Sequence, residues 1–204
     1  MRLKLNSFTS SELESRSVLL TENLLHLIEF QNAKGISCFI SMPKGEVNTT
    51  SIIDHILTST TSVNDQRLFV PKVIGKRSAD MMMIEVNGMN DLSLWNTNQW
   101  GIKEPPLPEG DSDITFSGVI DLVIVPGVIF DHSCHRMGHG KGYYDYFLSN
   151  LRKTNEIKGI RSPITIALCF DEQLLPEGEN VPIEDHDVRL DYVITPTQVI
   201  KASS

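Results

Sequence analysis

Gly138, Gly140 and Gly142 alternate with His139 and Lys141 directly before Tyr143, Tyr144 and Asp145. Glycines let a backbone approach a ligand closely, and successive N–H groups at a helix start form an anion site. Lys141 adds a positive point charge and Asp145 a carboxylate suited to a hard cation. Phosphate, cation and a flat organic ligand can all meet in this short stretch. The spacing is not the G-x-x-x-x-G-K-[ST] of a P-loop, so on the residues alone a tight surface turn is an equally good reading.

Neighbouring residues carry further chemistry. Tyr143 and Tyr144 are core aromatics on general grounds, but at the mouth of a glycine loop one of them, Tyr143, is expected to face a ligand. Asp145 also suits a helix N-terminus electrostatically, and Asp187 suits a turn. Glu46 comes after an apolar run, where open α/β sheets place ligands beyond their strand ends, although a loop glutamate is most often simply solvated. His132, Cys134, His135 and His139 fit none of the usual zinc spacings. Trp95 and Trp100 are read as packing residues, with Trp100 near enough to line a pocket.

The elements that hold these residues are read from periodicity. Leu13, Leu20, Leu24, Leu27 and Ile28 predict an amphipathic helix over 10–30, capped by Thr9 or Ser10. Residues 36–41 read as a buried strand, Ile52, Ile53, Ile56 and Leu57 as a second helix, and 67–73 as a strand that Pro71 ends. Residues 81–86 predict another strand, and 104–113 a loop rich in proline and acid. The apolar run from Leu122 suits a strand covered on both faces. A helix over 142–152 and strands over 164–170 and 191–195 complete the pattern. Alternating strands and helices predict a three-layer α/β/α fold with a mostly parallel central sheet, plus a small β excursion around residues 75–115.

Composition narrows the function. The 204 residues suit a single domain, and 40% hydrophobic content supports a core. A net charge of −8 argues against a nucleic-acid partner, so any polyanion must be held by a few local cations and amides. No apolar stretch reaches membrane-spanning length, and the N-terminus lacks the apolar run of a secretory signal. Three widely spaced cysteines without a C-x-x-C pair fit reduced thiols in the cytoplasm. Asn48-Thr49-Thr50 is a chance sequon in such a compartment.

The longer string Pro126-Gly127, Asp131, then Arg136-x-Gly138-x-Gly140-x-Gly142-Tyr143-Tyr144-Asp145 resembles the signature of the 5-formyltetrahydrofolate cyclo-ligase family. Four flanking pieces resemble it in the same order: Ser41-Met42-Pro43 with Glu46, Val47 and Thr49; Phe69 to Lys72; Trp100-Gly101-Ile102 with Glu104-Pro105; and His186-Asp187 with Asp191. The likeness covers roughly residues 10–196, consistent with one cyclo-ligase-like domain over 1–204.

The resemblance implies an ATP- and Mg²⁺-dependent ligase. It would convert 5-formyltetrahydrofolate to 5,10-methenyltetrahydrofolate, releasing ADP and phosphate, as a monomer in cytoplasm or mitochondrion. Lys141 and Tyr143 are then the expected catalytic residues. Arg136, Met137, Gly138, His139, Gly140, Lys141, Gly142, Tyr143 and Tyr144 are expected to bind ATP. Ile40, Glu46, His139, Gly140, Lys141, Gly142 and Tyr143 are expected to bind the folate, and Asp145 and Asp187 the magnesium. Two positions depart from the pattern. Leu5 to Ser17 aligns with the segment just after a family Lys/Arg pair, so the chain is expected to start short of that pair, and Arg2 and Lys4 do not replace it. His139 stands where the family usually has arginine. These departures keep open a weakened relative acting as a folate-binding or regulatory protein. An unrelated sugar-phosphate enzyme would leave the four flanking pieces unexplained.

Overall fold

The computed structural model describes residues 8–43, 45–58, 65–99, 101–107 and 114–203; Arg2, Lys4 and Trp100 lie outside them. Helix α1 (Ser10–Leu25) begins at Thr9, whose hydroxyl accepts from Glu12 N while Glu12 Oε2 accepts from Thr9 N at 2.7 Å. This reciprocal cap satisfies two otherwise orphaned amides and fixes the helix start. The helix expected over 10–30 is in fact two. Extended backbone at Leu27 separates α1 from α2 (Ile28–Asn32), turning Phe30 into the core and leaving Ile28 exposed.

Among the described residues, seven strands form the main sheet: β1 (Gly35–Ser37), β2 (Arg67–Val73), β3 (Met81–Val86), β6 (Leu122–Val125), β9 (Ile164–Leu168), β10 (Tyr192–Ile194) and β11 (Val199–Lys201). Their order across the sheet is β11-β10-β9-β6-β1-β2-β3. The inner five are parallel, and β3 and β11 are antiparallel edges. Helices α1, α2 and α3 (Thr50–Thr58) cover one face. Helix α5 (Tyr143–Ile157) covers the other and runs past the expected end at Arg152. Central β6 shows why both faces must be apolar: Leu122 and Ile124 join one core, Val123 and Val125 the other.

Pro71 does not end its strand, and β2 continues to Val73. Arg67 and Phe69 bond toward the β1 side of the sheet, so Pro71, two residues on, directs its missing N–H that way too. Strand β1 has already ended at Ser37, so no ladder bond is lost. The small β excursion expected around residues 75–115 is present as a separate hairpin within that stretch. Strand β3 is an edge of the main sheet, and it leads into a short helix α4 (Met89–Leu94) and a hairpin of β4 (Asn96–Thr97) and β5 (Lys103–Glu104). A second hairpin pairs β7 (Ile129–Phe130) with β8 (Arg136–Met137), just ahead of the glycine loop. Among the described residues, no helix is long and apolar enough to cross a membrane.

Candidate active site

The chain leaves β1 toward β2 and later returns on the other side of β1 as β6. Open α/β sheets bind ligands beyond the carboxyl ends of their strands at such a reversal. A groove of about 1570 Å³ lies there. Its floor is Phe39 and Ile40 after β1 and Pro126 and Gly127 after β6; one wall is the glycine loop and α5. Pockets for a single drug-sized ligand typically measure about 300–1,000 Å³, so this space suits two co-bound molecules.

Gly140 and Gly142 hold φ of 75° and 67°, left-handed values that a side chain would strain. A Cβ on Gly138 would come 3.0 Å from Arg136 Nη1. Gly142 is the N-cap of α5 and offers no side-chain acceptor, which leaves first-turn amides available to an anion. Lys141 is exposed and has no hydrogen-bond or ion-pair partner among the described residues. The Tyr143 hydroxyl donates to Gly75 O at 2.8 Å, so the turn after β2 fixes its ring at the groove.

Asp145 and Asp187 both line the groove, and the backbone links them. Val188 N, next to Asp187, donates to Asp145 Oδ1 at 3.3 Å. Arg136 Nη2 lies 2.9 Å from the same oxygen. Among the described residues Asp145 Oδ2 has no protein partner, while Asp187 Oδ2 accepts from Glu184 N at 2.8 Å. One or two carboxylates open to a groove beside a glycine loop suit a magnesium ion, which keeps several waters and takes phosphate oxygens as further ligands.

The loop after β1 is closed on itself. Ser41 and Thr49 exchange backbone-to-hydroxyl bonds, and the Thr49 hydroxyl donates to Phe39 O at 2.8 Å. Inside this loop Glu46 Oε2 accepts from Met42 N at 2.8 Å. Burial raises the Glu46 carboxyl above its ordinary range, against the Met42 amide and the charge of His139, which lower it. His139 lines the same groove as Glu46. The Tyr144 hydroxyl is buried without a hydrogen-bond partner among the described residues. Burial first, then Cys38, pushes it well above the usual phenol range, so it stays protonated and available as a donor.

An acid whose folded pKa is raised favours folding while protonated. The Glu46 contribution is thus fully present below the ordinary carboxylate range and is lost as pH rises through the raised value. Glu46→Gln, which keeps an acceptor for Met42 N, is expected to raise the unfolding temperature at pH 7. At pH 4 the two proteins should unfold alike. Thermal denaturation at both values checks this; equal stability at pH 7 would show a solvated carboxylate.

Asp131 anchors the β7–β8 hairpin. Fully buried, it accepts from Ser133 N, His135 N and Val181 N, each at 2.9 Å, with His135 Nδ1 at 3.3 Å. It ties the β7–β8 hairpin, and so Arg136, to the segment leading to Asp187. Asp131→Ala orphans three amides and should cost about 3–5 kcal/mol, lowering the unfolding temperature by roughly 10 °C in a calorimetric scan. Asp131→Asn, which keeps an acceptor oxygen, should cost less. Cys134 lies in the same turn at φ 65°, and burial pushes its thiol up to about 11. Cys38 and Cys169 are raised further by burial, so none of the three supplies a thiolate nucleophile at neutral pH.

Every expected site residue from Ile40 to Asp187 thus lines one groove. The sequence reading did not single out Lys72, whose Nζ donates to Pro105 O at 2.6 Å and lies 3.7 Å from Glu104. Its signal was present, since a lysine two residues past a buried apolar stretch of strand points at a sheet end. Arg136 is the other surprise: its side chain lies under the loop, 5% exposed, against Asp145.

Residues 1–196 match the sequence model of the 5-formyltetrahydrofolate cyclo-ligase family. The probable 5-formyltetrahydrofolate cyclo-ligase of Schizosaccharomyces pombe is 33% identical over 192 residues, covering 93% of this chain and 88% of that protein. The 5-formyltetrahydrofolate cyclo-ligase of Mus musculus is 31% identical over 194 residues, covering 95% and 89%. The NMR structure of Aquifex aeolicus 5,10-methenyltetrahydrofolate synthetase shares the fold, with a TM-score of 0.73 at 24% identity over 100% of this chain and 89% of that one. A match this long, with curated relatives at this identity, means that the chain belongs to the 5-formyltetrahydrofolate cyclo-ligase family.

Proposed function

We propose that this protein cyclises 5-formyltetrahydrofolate to 5,10-methenyltetrahydrofolate, converting ATP to ADP and phosphate with Mg²⁺. The observation that carries the reading is the convergence, in one groove of a cyclo-ligase family chain, of a glycine loop at a helix N-terminus, two linked carboxylates and a half-buried glutamate.

A formamide oxygen is a poor leaving group, so the ring closes only after that oxygen is activated. The γ-phosphoryl group of ATP passes to the formyl oxygen and its bond to the β-phosphate oxygen breaks, leaving ADP. N10 of the folate then attacks the activated carbon and loses its proton to solvent, and the carbon–oxygen bond breaks to release phosphate. Catalysis of such transfer is mostly positioning and charge stabilisation. The amides of Gly138 to Gly142 and the first turn of α5 hold phosphate oxygens, with Lys141 beside them. Tyr143, fixed through Gly75, and His139 close over the folate. Ile40 and Glu46 hold it from the β1 side, and Tyr144 offers its hydroxyl, which has no partner among the described residues. Asp145 and Asp187 would hold the magnesium, which supplies charge neutralisation on the phosphates when bound.

Buried, unpaired thiols suit a cytoplasmic or mitochondrial protein, and one monomer contains the whole groove. The direct test is product stoichiometry. Purified protein given ATP, Mg²⁺ and 5-formyltetrahydrofolate should release one phosphate per folate consumed, and none when the folate is omitted. Folate-independent phosphate release, or folate binding with no release, would replace this reading.

A further inference from the structure

Arg136 is a permanent cation set against the carboxylate assigned to a divalent ion. Its side chain is 5% exposed and that of Asp145 is 15% exposed. The contact is close but poorly directed: Nη2 is 2.9 Å from Oδ1, yet neither Nη2 nor Nε makes a hydrogen bond of proper geometry among the described residues. The arginine therefore supplies charge more than orientation. Orientation of Oδ1 comes also from Val188 N. Nor can the arginine readily swing away. The glycine loop roofs it, with Gly138 leaving only 3.0 Å between Nη1 and a would-be Cβ, and the Tyr144 ring flanks its guanidinium carbon at 5.7 Å.

A fixed positive charge beside a carboxylate repels any free cation drawn to it, most strongly where burial limits screening. With Arg136 in place, one of the two negative charges offered by Asp145 and Asp187 is already neutralised. A bare divalent ion finds a poor site. A divalent ion already chelated by a polyphosphate does not, because the excess negative charge of that complex is attracted by Arg136 and Lys141. We propose that Arg136 is a specificity-determining residue that excludes free divalent cations from the Asp145/Asp187 pair and reserves the pair for a cation carried in on a nucleotide polyphosphate. The proposal rests on the assignment of Asp145 and Asp187 to the metal, and it predicts an order: metal and nucleotide arrive together.

Electron paramagnetic resonance with Mn²⁺ as the probe tests it without turnover. Parent, Arg136→Gln and Arg136→Lys are titrated with Mn²⁺, each with and without a non-hydrolysable ATP analogue. The parent should take Mn²⁺ alone at least about tenfold more weakly than with the analogue, Arg136→Gln should gain about tenfold or more for Mn²⁺ alone, and Arg136→Lys should behave as the parent. Unchanged affinity for free Mn²⁺ in Arg136→Gln overturns the proposal. So does a parent that binds free Mn²⁺ as tightly as it does with the analogue, a comparison that needs no variant to fold. Asp145→Asn/Asp187→Asn should abolish protein-bound Mn²⁺ in the presence of the analogue. If it does not, the metal assignment falls and the proposal with it. If it does while Arg136→Gln is silent, only the proposal falls.

Discussion

Asp145→Asn should lower ATP-dependent turnover by about two to three orders of magnitude and the unfolding temperature by roughly 10 °C. The first effect comes from the open Oδ2 at the groove, where a neutral amide neutralises a magnesium ion poorly. The second comes from Arg136, buried beneath the glycine loop and left without its counter-charge. Removing one member of a buried pair typically costs about 3–5 kcal/mol because the other charge is stranded. Asp187→Asn separates the two effects. Its carboxylate is 26% exposed and, among the described residues, holds only Glu184 N and a distant His186, so turnover should fall while stability stays near the parent. Turnover measured over a magnesium series, with calorimetry of the same samples, distinguishes the cases. If Asp145→Asn loses stability but keeps the parent's magnesium dependence, Asp145 is a structural partner of Arg136 and no metal ligand.

Lys141→Ala should reduce kcat/KM for ATP by about 10²–10³-fold, the scale for deleting one charge-stabilising group in a phosphoryl-transfer site. Stability should change by less than about 0.5 kcal/mol, because the side chain is exposed and holds no protein partner among the described residues. The left-handed glycines on either side shape the loop by themselves, so the truncation should not collapse it. Nucleotide affinity from calorimetric titration should fall in parallel. Equal ATP affinity in variant and parent would make Lys141 a surface charge and would leave the helix amides to hold the phosphates alone.

The contrast between these two residues also separates what local sequence encodes from what tertiary packing decides. The glycine loop, the start of α5 and the cap at Thr9 were readable because each rests on neighbours a few residues apart. Strand β2 was readable too, but its passage through Pro71 was not, since that depends on where β1 stops. The break at Leu27 escaped for a similar reason: Leu24, Leu27 and Ile28 keep helical spacing, and only burial of Phe30 forces the turn. Short elements such as α4 and β11 carry too few residues for a periodic pattern. Site membership was largely readable, whereas the wiring was not. No spacing rule tells that Arg136 meets Asp145, that Val188 meets the same oxygen, or that Tyr143 bonds Gly75, because each pairing joins segments brought together by the sheet.

On the proposed function, this groove couples ATP cleavage to closure of the folate ring. The most direct test is near-ultraviolet absorbance of the methenyl product, monitored as purified protein meets 5-formyltetrahydrofolate, with ATP and Mg²⁺ supplied together or singly. Absorbance should rise only when both are present, and the rise should be slowed sharply by Lys141→Ala and by Asp187→Asn. No rise with both present, from protein that still binds the folate, would contradict that coupling, as would a rise that proceeds equally well without ATP.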